Sequence, residues 1–169
     1  MEAASGPSRH TSARIVMQCC TKAMLRLTES DSGDAAYALA NEGIIVYVAF
    51  LKGAVEDAVK KIAKVICHTK ICSRNEELVS ILELPGDIVL IPHFCLGGRL
   101  KGNRFQYHAI APRDQAEVLF RSLFCECKEI CTTNTNWLSS NKQVFAGTYG
   151  IRQVLSYESN GPFTHVVEI

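Results

Sequence analysis

Ser159-Asn160-Gly161-Pro162-Phe163-Thr164-His165, continuing into Val166-Val167-Glu168-Ile169, is the stretch on which the reading of this chain turns. Gly161 can take backbone angles barred to other residues, and Pro162 fixes its own φ and donates no hydrogen bond. The segment therefore reads as a turn feeding a final strand. A Gly-Pro turn leaves carbonyls and amides unobstructed by bulky side chains, and Thr164 adds a short hydroxyl beside them. Asn-Gly and Gly-Pro pairs also form ordinary tight turns, so the local sequence alone favours a purely structural role.

Working outward, a second stretch changes that weighing: Pro92-His93-Phe94-Cys95-Leu96-Gly97-Gly98-Arg99-Leu100-Lys101-Gly102. Together the two stretches resemble the D-aminoacyl-tRNA deacylase family, in which a Ser-Gln-Phe-Thr-Leu motif is paired with a C-terminal Asn-x-Gly-Pro-x-Thr. Phe94, Leu96, Gly161, Pro162 and Thr164 match. Pro92 in place of the serine, and Asn160 directly before the glycine, resemble the animal-specific tRNA deacylase branch. Members of that branch read Pro-Gln-Ala-Thr-Leu-Gly-Gly-Arg-Leu-Lys-Gly and end in Asn-Gly-Pro-Phe-Thr-His. Gly97 to Gly102 and Asn160 to His165 match it, while His93 for Gln and Cys95 for Thr depart from it. The resemblance covers residues 14–169.

The resemblance implies a tRNA aminoacyl ester as substrate. Backbone groups near Phe94, Cys95 and Leu96 would hold the amino acid, and Gly161, Pro162 and Thr164 would complete the site from the partner subunit of a homodimer. Pro92, His93, Tyr149, Arg152 and Asn160 would support it, Tyr149 within a Gly-x-Phe-Gly-like segment and Arg152 as a brace for the Gly-Pro turn. The tRNA's own 2′-hydroxyl would assist, with no cofactor and no metal. In the parent family the Gly-Pro peptide is cis and excludes L-amino acids. In the animal branch it is trans, which implies removal of L-alanine from threonine tRNA, with glycine and D-amino acids as further candidates. A trans bond is also the ordinary state of an X-Pro peptide.

Composition sets the outer bounds. At 169 residues, with 47% hydrophobic and 21% charged content, the chain is expected to be a soluble globular protein of one domain. No apolar run is long enough to span a bilayer. A formal charge of +1 excludes a binder that is basic overall, so RNA contact must come from a local patch. Residues 1–13, rich in Ala, Ser and Gly, are expected to be a disordered tail ahead of a single domain over 14–169. They contain no apolar signal core, so the eight cysteines are expected to be reduced thiols of a cytoplasmic protein.

Along the chain, Ile15 to Leu27 reads as strand, with Cys19-Cys20 either a redox-active vicinal pair or two small buried hydrophobes. Thr28 to Glu42 reads as a solvated acidic turn region, and Gly43 to Phe50 as a central strand buried on both faces. Val55, Val59, Ile62 and Ile66 recur at helical spacing from Ala54 to Cys67, with Lys60, Lys61 and Lys64 off the stripe as either solvated charges or an RNA contact. Cys67, His68 and Cys72 lack a matched second pair and argue against zinc. Leu78–Leu84 and Ile88–Phe94, flanking Pro85-Gly86-Asp87, read as a β-hairpin.

From Ile88 to Arg113 there is no acidic residue, and Arg99, Lys101 and Arg104 make this the best candidate RNA surface, with Phe105 and Tyr107 placed to stack or to pack. A second helix opens at Pro112-Arg113-Asp114 with Ala116, Leu119, Phe120, Leu123, Cys127 and Ile130 as its stripe. Cys127 and Cys131 read as packing residues on it. Thr132 to Asn141 reads as a loop anchored by Trp137, followed by strands at Gln143–Ala146 and Gln153–Glu158. Strands arriving in hairpins argue for an α+β fold. The resemblance implies its layering, a DTD-like ββα arrangement with two β-sheets and two principal helices on one side.

Two rival functions follow from the same residues. Cys95 could be a nucleophile with His93 as its base, if the two share one face of a strand. Alternatively the chain could be a non-catalytic tRNA- or protein-binding module that kept the deacylase fold.

Overall fold

The computed structural model describes residues 11–29 and 33–169. Its first half runs β1 (Ala13–Cys20), β2 (Lys22–Arg26), β3 (Tyr37–Ala40), β4 (Gly43–Phe50), α1 (Glu56–His68), β5 (Cys72–Arg74), β6 (Glu77–Val79) and β7 (Asp87–Pro92). A 3-10 turn, Phe94–Gly97, precedes β8 (Arg99–Lys101), β9 (Arg104–Gln106), α2 (Arg113–Thr133), α3 (Thr135–Leu138), β10 (Val144–Ala146), β11 (Leu155–Glu158) and β12 (Thr164–Glu168).

The β-branched run of β4 sits mid-sheet because both its faces can be buried. It pairs antiparallel with β1 and parallel with β7 in a five-stranded sheet ordered β10-β7-β4-β1-β12. One face carries Ile15, Met17, Ile44, Val46, Ile88 and Leu90 against Val59, Ile62 and Ile66 of α1 and Leu119, Phe120 and Leu123 of α2. On the other face Ile45, Val89 and Ile91 meet Ala23, Leu25, Ala38 and Ala40 of a second sheet ordered β11-β2-β3. The expected two sheets with two principal helices on one side are therefore present.

Several local expectations are corrected. The hairpin around Pro85-Gly86-Asp87 does not form: β6 pairs with β5 instead, and β7 is an inner strand parallel to both β4 and β10. Asp87 explains the insertion. Its buried carboxylate accepts the Asn41 and Gln143 amides, both at 2.8 Å, and charge-assisted bonds of this kind contribute about 1.5–3 kcal/mol each. Trp137 anchors its segment as expected, donating Nε1–H to the Gly86 carbonyl at 2.8 Å, but from the short helix α3 instead of a loop.

The strand expected over Ile15–Leu27 breaks at exposed Thr21, and β1 and β2 join different sheets. The acidic region contains β3, while Asp31 lies outside the described residues. Val55 leaves the α1 stripe as an exposed N-cap, and Cys131 replaces half-buried Ile130 at the end of the α2 stripe. Most of the expected tail falls outside the described residues, but Ser12 and Ala13 already donate to the Ile169 carbonyl.

Candidate active site

The C-terminal ends of β4 and β7 lie beside the start of β1, and the Phe94–Gly97 turn sits there. His93 is its N-cap, and the amide of His93 donates to the Val48 carbonyl at 2.8 Å. The turn closes through Leu96 N–H to the His93 carbonyl and Gly98 N–H to the Cys95 carbonyl, at 3.2 and 3.0 Å. The Phe94 and Cys95 amides precede these bonds and have no backbone acceptor among the described residues.

Gly97 is buried, and a Cβ there would meet Ile110 and Leu51 at 2.9 and 3.0 Å. That close approach seats the turn on the body. Phe94 is exposed, its ring edge-on to Tyr107 at 5.2 Å, and Cys95 lies near the Tyr107 phenol. Burial and Cys95 hold the Tyr107 phenol above its ordinary value. The His93 ring lies 5.6 Å from Tyr47, and burial holds its imidazole below the ordinary value. No hydrogen bond joins His93 to Cys95, and Cys95 is in the turn, not on a strand, so the shared-face premise of the thiol–imidazole reading fails.

The Gly161-Pro162 turn occupies the other end of the β1–β12 ladder. Its peptide is trans, and it feeds β12, which pairs with β1 from Gln18↔Thr164 to Arg14↔Glu168. The Ser159 hydroxyl donates to the Gly161 carbonyl, and the Thr164 hydroxyl lies 2.6 Å from the Pro162 carbonyl and against Gln18 Oε1. Phe163 has φ 29°, in the left-handed region, and its ring folds back over Gly161, where a Cβ would meet it at 2.5 Å.

A row of side chains connects the two turns: Arg14, Val16 and Gln18 project from one face of β1 beside Glu168, Val166 and Thr164. Arg14 binds Glu168 through Nε and Nη2 at 2.8 and 2.6 Å, and its Nη1 donates to the Leu96 carbonyl at 2.6 Å. Gln18, only 6% exposed, donates to the Cys19 carbonyl at 2.7 Å. Four residues of strand separate the ends, about 13 Å. The second sheet leaves the middle of the row open, and Val166 is 65% exposed. Arg14 and Gln18 escaped the sequence reading. Their signal was two polar residues spaced i, i+4 inside an apolar strand.

The remaining expected residues disperse. Pro92 ends β7, with its Cδ under Gly147. Tyr149 turns to α2, its ring 6.0 Å from Phe120, beside a cavity of about 210 Å³ lined also by Glu117, Arg121 and Phe124. Arg152 is exposed and makes no hydrogen bond to the Gly-Pro turn. Arg99, Lys101 and Arg104 are exposed on the β8–β9 hairpin, turned at Gly102 with φ 60°. Among the described residues no cluster of three or more His, Cys, Asp or Glu is placed to hold a metal ion.

A family model described as D-Tyr-tRNA(Tyr) deacylase matches residues 16–168. The chain is 37% identical over 163 residues to D-aminoacyl-tRNA deacylase 2 of Gallus gallus, a match covering 95% of this chain and 98% of that protein. The corresponding Homo sapiens protein is likewise 37% identical, with 95% and 97% covered. A solved structure described as a probable eukaryotic D-amino acid tRNA deacylase superposes with TM-score 0.77 at 25% identity, over 94% of this chain and 100% of that one. The c-Myc DNA Unwinding Element Binding Protein superposes with TM-score 0.76 at 20% identity, a likeness of fold alone.

Proposed function

The chain belongs to the D-aminoacyl-tRNA deacylase family, alongside the animal deacylase 2 proteins, and from that premise we propose that it hydrolyses the ester of misacylated aminoacyl-tRNA. The observation that carries this reading is the pair of motif turns seated at the two ends of one strand ladder, bridged by Arg14 and Gln18. An aminoacyl ester is reactive enough that holding a water and stabilising the developing oxyanion suffice, so no side-chain nucleophile is needed. The uncommitted Phe94 and Cys95 amides suit that task, with the substrate's terminal 2′-hydroxyl assisting.

Two copies of the chain build each site. Within one copy the Phe94 turn and the Gly161-Pro162 turn sit at opposite ends of the ladder, beyond Arg14 and Gln18, which are themselves about 13 Å apart, and the exposed row through Val166 gives a partner a surface to sit on. The Arg99–Arg104 hairpin receives the tRNA's phosphates. A trans Gly161-Pro162 peptide supports the branch that accepts small L-residues, with L-alanyl threonine tRNA as the preferred substrate and glycyl and D-aminoacyl esters also cleaved.

The test is deacylation of L-alanyl, glycyl, D-tyrosyl and correctly charged L-threonyl threonine tRNA by the purified protein. Loss of L-alanine with L-threonine spared is the expected result. Cleavage of glycyl and D-tyrosyl esters alone would assign the stricter chirality of the parent family, and tRNA binding without hydrolysis of any ester would make the chain a binding module.

A further inference from the structure

We propose that Cys19 and Cys72 are a redox-sensitive dithiol, which a hydroperoxide converts to an intramolecular disulfide linking β1 to β5 beneath the Gly161-Pro162 turn. The two side chains are far apart in sequence and lie in different sheets, yet both line one small cavity, and the Cys19 thiol donates to the carbonyl of Ile71, the residue before Cys72, at 3.2 Å. That cavity is about 30 Å³, about twice what a single water needs, which leaves room for a two-oxygen peroxide. Asn160 and Phe163 form its wall on the side of the turn, and the Cys19 amide donates to the Phe163 carbonyl at 3.4 Å.

The other buried thiols make the contrast. Cys67, Cys127 and Cys131 also cluster, between α1 and α2, but each is 0% exposed, whereas Cys19 retains 9%. The neighbouring Cys72 side chain holds the Cys19 thiol below its ordinary value, and Cys72 itself is pushed up, first by Cys19 and then by burial. Cys19, the more exposed of the two, is the sulfur that a peroxide reaches first. Neighbouring Cys20, raised to about 11 chiefly by burial, does not compete.

The chemistry balances in two steps. The Cys19 thiolate attacks one peroxide oxygen, the O–O bond breaks, and the leaving oxide takes a proton to give water, or an alcohol from an alkyl hydroperoxide. Cys72 then attacks the resulting sulfenic sulfur, the S–O bond breaks, and a second water leaves with the Cys72 proton. Two thiols have lost two electrons, and the peroxide has gained them.

The experiment treats the full chain with stoichiometric hydrogen peroxide, alkylates remaining thiols in denaturant and maps connectivity by mass spectrometry. A Cys19–Cys72 cross-linked peptide that dithiothreitol reverses is expected, and Cys72→Ser should instead leave Cys19 as a sulfenic acid trapped by dimedone. Recovery of both residues as free thiols while exposed Cys95 or Cys125 is oxidised, or a Cys19–Cys20 bridge, would overturn the proposal. Amide hydrogen exchange over residues 159–164 reads the link to the turn. Oxidised and reduced protein should differ by about threefold or more, a difference absent from Cys72→Ser, and equal exchange would show the disulfide to be uncoupled from the turn. Neither readout depends on the chain acting on tRNA.

Discussion

Cys95 stands where the resemblance to the animal branch places a hydroxyl, and it lies near the Tyr107 phenol, while the His93 ring packs against Tyr47. The substitution keeps a small side chain able to hydrogen-bond and leaves the peptide geometry of the turn to its glycines, so chemistry drawn from the backbone is unaffected by the exchange. Cys95→Ala should therefore retain deacylation within about tenfold, since it removes only a side-chain contact. Loss of a general-base-activated nucleophile would cost at least roughly 100-fold. Single-turnover rates on the best of the four esters distinguish the two outcomes, and the larger loss, with an unchanged thermal melt, would restore the thiol–imidazole mechanism.

At the scale of elements, the β4–β7 pairing is the join on which the site's position depends, because β7 carries the chain into the Phe94 turn. Gly43 opposes Asp87 there, and a Cβ on Gly43 would lie 1.9 Å from the Asp87 carbonyl oxygen and 2.6 Å from its amide nitrogen. Both obstacles are backbone, so neither can rotate away. Gly43→Ala should destabilise the protein by about 2 kcal/mol or more and lower Tm by roughly 4–8 °C; a melt within a degree of wild type would mean the strands are not paired in this register. The same join marks where the sequence stopped being informative. The Gly43–Phe50 run and the Val59, Ile62 and Ile66 spacing were readable because burial imprints a pattern on consecutive residues. The β7 neighbours were not. Ile88–Phe94 is apolar in any buried strand, and Pro85-Gly86 suits a hairpin turn as well as an entry to a parallel strand. What decides is Asp87, whose two amide partners lie 46 and 56 residues away. The site divides the same way: Phe94 and Gly161-Pro162 carry recognisable local chemistry, while Arg14 and Gln18 acquire significance only through pairing with β12.

For the whole molecule, the open face of the β1–β12 ladder and the separation of the two turns make a prediction about assembly that does not depend on which amino acid is removed. If every site combines the Phe94 turn of one copy with the Gly161-Pro162 turn of another, two defective variants can repair each other. Gly98→Val disrupts the first turn, since a Cβ on Gly98 already meets Tyr107 at 2.7 Å and the Cys95 carbonyl at 3.1 Å. Gly161→Val disrupts the second, where Phe163 occupies the Cβ position at 2.5 Å. Each variant alone should be inactive in deacylation. Mixed in equal amounts and allowed to exchange, half of the dimers are mixed, and each mixed dimer has one site built from two intact turns and one built from two damaged ones. Recovery of roughly a quarter of wild-type activity is expected for a two-fold symmetric assembly. A site contained within a single chain would recover nothing, because each copy would still hold one damaged turn, and sedimentation of the mixture as dimers would then show that association alone is not what the two turns need.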